Sequence, residues 1–247
     1  ALSLFHEMAC HSQSNSEELR KLQFEKLSIL LSYAYQHVPY YKEILLPYFS
    51  ENDSFSKIPF LTKDTIREQG SKLYSDEHKA RGSYKNSSGG STGIPLVFLQ
   101  DREYLTYSRA VWMFIKSLRG SDPYDSEVVI WGSERDTFAG RKPIDLAVKD
   151  FFLNRITLNS FRMSEQDMQR YLEILNQHKP KLITAYAQSI YELARFAKRK
   201  AIPVKKQNAV HTTAMVLHDF MRKEIEEVFQ CPVFDHYGSR EIGRAHV

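Results

Sequence analysis

The chain has 247 residues, 42% of them hydrophobic and 26% charged, with a formal net charge of +4. That length can bury a core without disulfides or a structural metal, and the two cysteines, Cys10 and Cys231, stand too far apart to suggest a disulfide framework and fit a reducing compartment. The basic residues are scattered without a nucleic-acid-binding motif, and neither a leader pattern nor a membrane-length apolar run is present; the expectation is a soluble, cytoplasmic protein whose partners include neither nucleic acid nor membrane.

The first third carries helical signals. Ser14 with Glu17 forms a capping-box pattern, and Leu19, Leu22, Leu27, Leu30, Leu31 and Ala34 recur at helical spacing up to Pro39. His6, Cys10 and His11 invite a metal reading, but no fourth ligand accompanies them. Thr62 is placed to cap a helix over 63–69, with Gly70 where a C-terminal cap belongs. Residues 85–93 are a loop by composition. Residues 94–100 read as a strand with a proline near its start, followed by a helix over 102–118.

From residue 126 onward strand and helix signals alternate. Strands are expected at 127–131, 155–161, 181–185, 209–213 and 232–236. Helices are expected near 164–177, 189–200 and 217–229. This pattern predicts an α/β fold: a helical N-terminal region, residues 1–80, followed by a core over 81–247 whose strand–helix units build a largely parallel sheet. Lys198-Arg199-Lys200 and Lys205-Lys206 sit around a helix end, where cations suit the dipole and the solvent. Asp145 and Asp150 read as surface carboxylates. Ligands of parallel sheets gather at the carboxyl ends of strands, so the places to search follow Trp131, Ala185, Thr213 and His236. Phe114, Trp131, Phe152 and Tyr186 suggest an apolar or aromatic pocket, although such spacings also suit core packing.

The most informative stretch is Asn86-Ser87-Ser88-Gly89-Gly90-Ser91-Thr92-Gly93. Its glycines let the backbone approach a ligand, its hydroxyls add donors, and successive amides in such a turn make a concave anion site. A P-loop requires a lysine after the last glycine, and here Ile94 and Pro95 follow. A dinucleotide fingerprint requires a strand before and a helix after, and neither is expected. Gly89-x-Ser91-x-Gly93 matches the nucleophile elbow as a string, but the elbow also needs strand, turn and helix. A surface linker is the bland alternative.

The stretch Ser87 to Pro95 resembles the phosphate-binding loop of the adenylate-forming enzymes, the superfamily of acyl- and aryl-CoA ligases. Asp235-His236-Tyr237-Gly238-Ser239-Arg240-Glu241 resembles the same superfamily's tyrosine-glycine-x-x-glutamate motif. Tyr33-Ala34, Val38-Pro39-Tyr40-Tyr41 and Pro59-Phe60-Leu61-Thr62-Lys63 resemble the phenylacetate-CoA ligase-like branch, including the CapK group linked to capsular polysaccharide genes. The resemblance implies the N-terminal large domain of such an enzyme, with ATP and Mg²⁺ as cofactors, a small-molecule carboxylic acid as substrate and CoA among the acceptors.

Carried over residue by residue, Ser87, Ser88, Gly89, Gly90, Ser91, Thr92 and Gly93 would hold the phosphates. Thr213, Ala214, His236, Tyr237, Gly238 and Ser239 would line the nucleotide, with Tyr237 flanking the adenine. Glu241 would hold Mg²⁺, and Thr92 with Glu241 would form the catalytic pair. Trp131 and Tyr186 would face the acyl substrate. Two departures stand out. Met215 occupies the place where the family usually has a glutamate after Thr213-Ala214. The family's ribose-binding aspartate, hinge and mobile C-terminal domain with its catalytic lysine would lie beyond Val247, so this chain alone is expected to bind nucleotide weakly and catalyse poorly. A non-catalytic nucleotide-binding or interaction module is the alternative from another class. Oligomeric state is open, a homodimer included.

Overall fold

The computed structural model describes residues 1–45, 55–88, 95–132, 148, 150–161, 163–239 and 243–246. The chain divides into two compact units, Ala1–Val111 and Trp112–Val247, a division later than the end of the expected helical region at residue 80.

The first unit opens with α1 (Leu2–His11), α2 (Ser16–His37) and α3 (Pro39–Leu45). The cap of α2 is Asn15 rather than Ser14. Its side chain accepts from the amides of Glu17 and Glu18, while the Glu18 carboxylate accepts from the Asn15 amide at 3.1 Å. Asparagine caps as well as serine, and Glu18 stands where the reciprocal bond needs it. The expected helix after Thr62 is present as α4 (Lys63–Gln69); the Thr62 hydroxyl accepts from the Thr65 amide, and Gly70 follows at φ +50°. Gly70 reaches that backbone without the clash a Cβ would bring.

A strand the composition did not suggest precedes the glycine-rich stretch. β1 (Tyr84–Ser87) pairs antiparallel with β2 (Val97–Gln100). Tyr84 and Asn86 both donate to the side-chain oxygen of Gln100, at 3.2 and 2.7 Å. These cross-strand bonds give a polar segment a sheet partner, which local propensity cannot reveal. One of the two grounds for excluding the dinucleotide fingerprint and the nucleophile elbow therefore falls. The other stands, because β2 and not a helix follows. α5 (Arg102–Leu118) has the expected bounds and runs through the division between the units.

The second unit is the α/β core. β3 (Glu127–Trp131), β4 (Arg155–Asn159), β5 (Leu182–Tyr186), β6 (Val210–Thr213) and β7 (Val233–Ser239) lie parallel in the order β4-β3-β5-β6-β7, and β8 (Gly243–His246) pairs antiparallel with β7. α6 (Glu165–His178), α7 (Ala187–Arg199) and α8 (Asp219–Phe229) connect the strands. Ser164 and Asp167 form a capping box on α6. Val128, Ile130, Ile183, Ala185, Val210 and Val233 form one face of the sheet and bury against Leu172, Leu175, Ile190, Leu193, Ile225 and Phe229 of these helices. Each large side chain so buried contributes about 1.5–3 kcal/mol.

Two expectations about charges resolve here. Asp150 is buried, not a surface carboxylate: its Oδ1 accepts from Arg155 Nε and Nη2 at 2.9 and 2.6 Å. The basic cluster closing α7 is matched by acids, with Lys198 bonded to Glu227 and Glu224 and both Arg199 and Lys200 bonded to Glu165. Among the described residues no helix is long and apolar enough to cross a membrane.

Candidate functional site

The strand order of the second unit sets where the switch point of its sheet lies. From β3 the chain passes to β4 on one side, then returns over β3 to β5 on the other and continues to β6 and β7. Connections leave β3 and β5 in opposite directions, so the carboxyl ends of these two strands flank the switch point of the sheet, where the crevice opens in such folds.

Trp131 ends β3 and Tyr186 ends β5, and their rings meet there with centroids 4.5 Å apart at 48°. Both are partly buried. Register places Asn159 beside Trp131 and Thr213 beside Tyr186, and Thr212 opposite Asp235 puts His236 at the level of Thr213. Asn159, Trp131, Tyr186, Thr213 and His236 thus form one row along the carboxyl edge, on one face. Gly132 follows Trp131 where an added Cβ would lie 2.2 Å from Ser160 Oγ and 3.0 Å from the Phe161 ring, which allows the two strand ends to lie close. Phe152 does not join the aromatic pair; it precedes β4, at the amino edge, and is exposed.

The same edge continues past β6. Ala214, directly after β6, has φ +66°. A non-glycine residue there is strained, and such strain concentrates at ligand-binding turns. Met215, Val216 and Tyr237 are exposed around this end of the sheet. Tyr237 falls on the opposite phase of β7 from His236, while Gly238 shares the His236 phase. Asp235 Oδ1 accepts from the Thr212 hydroxyl and from the His236 amide, both at 2.9 Å, which ties the ends of β6 and β7 together.

Beneath the row lies a buried polar layer that the sequence reading did not single out. The stripe Trp112, Lys116 and Arg119 on and just past α5 faces Glu127, Thr184, His211, Phe234 and His236. Glu127 receives Lys116 Nζ at 3.4 Å and the Thr184 hydroxyl at 2.6 Å. Trp112 packs against His211 and His236, with centroids 5.2 and 6.3 Å away. Arg119 stands over the Phe234 ring at 5.9 Å, and burial pushes its guanidinium down to about 10, opposed by Glu127. The signal was present: Glu127, Thr184 and His211 are polar residues at one phase of otherwise apolar strands, whereas a sheet covered on both faces normally reads as a continuous apolar run.

In the first unit, Ser87 ends β1, and Ser88 pairs with Leu96. Its amide donates to the Leu96 carbonyl at 2.9 Å, and its hydroxyl accepts from the Leu96 amide at 2.8 Å. Gly89, Gly90, Ser91, Thr92, Gly93 and Glu241 lie outside the described residues; Ser239 ends β7. Among the described residues no group of three or more His, Cys, Asp and Glu side chains could hold a metal ion.

No protein-family model matches the chain. Protein CapK of Staphylococcus aureus is 26% identical over 241 residues, covering 91% of this chain and 51% of CapK. The chain therefore spans about half the length of the curated relative it matches. The fold is shared with solved structures of 2-hydroxyisobutyryl-CoA ligase. An open conformation in complex with 2-HIB-AMP and CoA superposes with a TM-score of 0.62 at 16% identity, over 90% of this chain and 54% of that one. The postadenylation state in complex with 2-HIB-AMP gives 0.64 at 16% identity, over 91% and 49%. The chain thus shares its α/β architecture with that part of 2-hydroxyisobutyryl-CoA ligase.

Proposed function

We propose that the chain is the nucleotide-binding part of an ATP-dependent, AMP-forming enzyme that activates a carboxylic acid as its acyl-adenylate and passes the acyl group to CoA or another acceptor. The pathway served would be that of an aromatic acid or a polysaccharide. The observation that carries this reading is the coincidence of the sheet's switch point with the Trp131–Tyr186 pair, in line with the strained Thr213-Ala214 turn and the His236-Tyr237-Gly238 strand end.

The chemistry asks for no covalent nucleophile from the protein. The substrate's own carboxylate attacks the α-phosphorus of ATP, a new P–O bond forms, and pyrophosphate leaves. The protein's tasks are then positioning and charge stabilisation. Trp131 and Tyr186 would hold the apolar part of the acid and keep water from the reacting carboxylate. Thr213, Ala214, Tyr237 and Gly238 would receive the nucleoside, with the exposed Tyr237 ring free to flank the base. Ser87 to Gly93 would hold the phosphates, and Thr92 with Glu241 would hold Mg²⁺. When bound, that ion supplies charge neutralisation on the phosphates.

The test is calorimetric titration of the chain with Mg-ATP, beside the double variant Thr92→Val/Glu241→Ala, followed by pyrophosphate exchange with a panel of carboxylic acids on the longest available form. Binding lost in the variant, with acid-dependent exchange, is the expected result. Binding without exchange for any acid would favour a nucleotide-binding module, and no binding in the longest form would end the ligase reading.

A further inference from the structure

We infer that Thr184 is a positioning residue that fixes the tautomer and orientation of His211 and, through it, the β7 edge at His236 and Tyr237. The inference rests on the site proposed above and deepens it through Thr184 and His211, to which that reading gives no role.

The Thr184 hydroxyl has one proton, and it is given to Glu127 Oε1 at 2.6 Å, a short charge-assisted bond. Glu127 is held as an acceptor from its other side by Lys116 Nζ at 3.4 Å. Thr184 Oγ1 also faces His211 Nδ1 at 3.4 Å, and with its proton committed it offers that nitrogen only a lone pair. His211 must therefore carry its proton on Nδ1, which leaves the lone pair on Nε2 in the neutral ring. Three strands are needed for this: Thr184 and His211 are register partners on β5 and β6, while Glu127 reaches Thr184 from the amino end of β3.

The fixed ring then supports the next strand. His211 is fully buried and meets the His236 ring edge-on at 5.0 Å, with Trp112 against both. His236 stands one residue before Tyr237, so the row Lys116, Glu127, Thr184, His211, His236 runs diagonally from the amino end of β3 to the proposed nucleotide edge. Removing the hydroxyl at position 184 changes neither the charge of this row nor either of its rings.

Imidazole ¹⁵N–¹H correlation spectra of the labelled chain test the inference directly, with His211→Asn used for assignment. The wild type is expected to show the Nδ1–H pattern at His211. Thr184→Val keeps the shape and removes the acceptor; it is expected to shift His211 toward Nε2–H and to speed amide exchange at His236 and Tyr237 about tenfold, the scale of one lost hydrogen bond. Core amides of α6 to α8 should exchange as before, and Thr184→Ser should restore both readouts. An Nε2–H pattern in the wild type, or an unchanged pattern or unchanged edge exchange in Thr184→Val, would overturn it. The same spectra taken with ATP separate the two readings: if no form binds ATP while the tautomer and exchange results hold, the nucleotide proposal fails and the positioning role stands.

Discussion

Two residues carry consequences that need nothing beyond their own surroundings. Cys231 is buried, and desolvation pushes its thiol up to about 12, whereas Cys10 is exposed. The thiolate is the reactive form, so at about pH 8.5 iodoacetamide should label Cys10 alone in the native chain and both cysteines in denaturant. Two native labels by mass spectrometry would contradict the burial. The same shift sets a sign for stability. Between the unfolded thiol's ordinary range and about pH 12 the unfolded chain binds fewer protons than the folded one, so Cys231 stabilises the fold below that window and its contribution is lost as pH rises through it. Ala214 carries strain of the opposite kind. At φ +66° its Cβ is crowded, so Ala214→Gly should stabilise the chain by about 1 kcal/mol. Urea unfolding with an unchanged slope and a lowered midpoint would refute that.

At the scale of elements, sequence patterning told strands and helices apart in the second unit because its strands are short apolar runs and its helices are amphipathic. It failed at β1, where Tyr84-Lys85-Asn86-Ser87 is polar and its strand character comes from pairing with β2. It could name Trp131 and Thr213 as strand ends and Ala185 within one residue of another, since that needs only the end of each apolar run, but it stopped the last strand at His236, where β7 continues to Ser239. It could not give the order β4-β3-β5-β6-β7, which decides that Trp131 and Tyr186 are neighbours, because pairing is a property of the whole sheet. The layer under the row was missed for a related reason. Glu127, Thr184 and His211 are lone polar residues until the sheet aligns them against Lys116. That alignment predicts a non-additive pair. Glu127→Leu alone leaves Lys116 and Arg119 buried without their carboxylate and should cost about 3–5 kcal/mol, while Lys116→Met/Glu127→Leu should recover the share of that loss due to Lys116. Additive single effects in urea unfolding would mean that the pair is not coupled.

At the scale of the whole molecule, the proposed reaction asks one edge to hold two ligands in line. From Trp131 on β3 to His236 on β7 the row crosses three strand spacings, about 14 Å at the usual separation. One end of the row is aromatic, with Trp131 and Tyr186. The other has the Ala214 turn, the glycine and the exposed Tyr237. An apolar acid placed against the first and a nucleoside against the second would bring their reactive groups together over Tyr186 and Thr213, where the strands between are parallel and in register. The two ends should then fail separately. In pyrophosphate exchange, Trp131→Ala should raise the KM for the acid about 30-fold, the scale of losing a large buried aromatic contact, with the Kd for ATP unchanged. Tyr237→Ala should do the reverse, weakening ATP and leaving the acid's KM in place. If both substitutions weakened the same ligand, the acid and the nucleotide would not be laid out along this edge. If neither weakened either ligand, the carboxyl edge of the sheet would not be the site, even though the fold and the switch point remained as described.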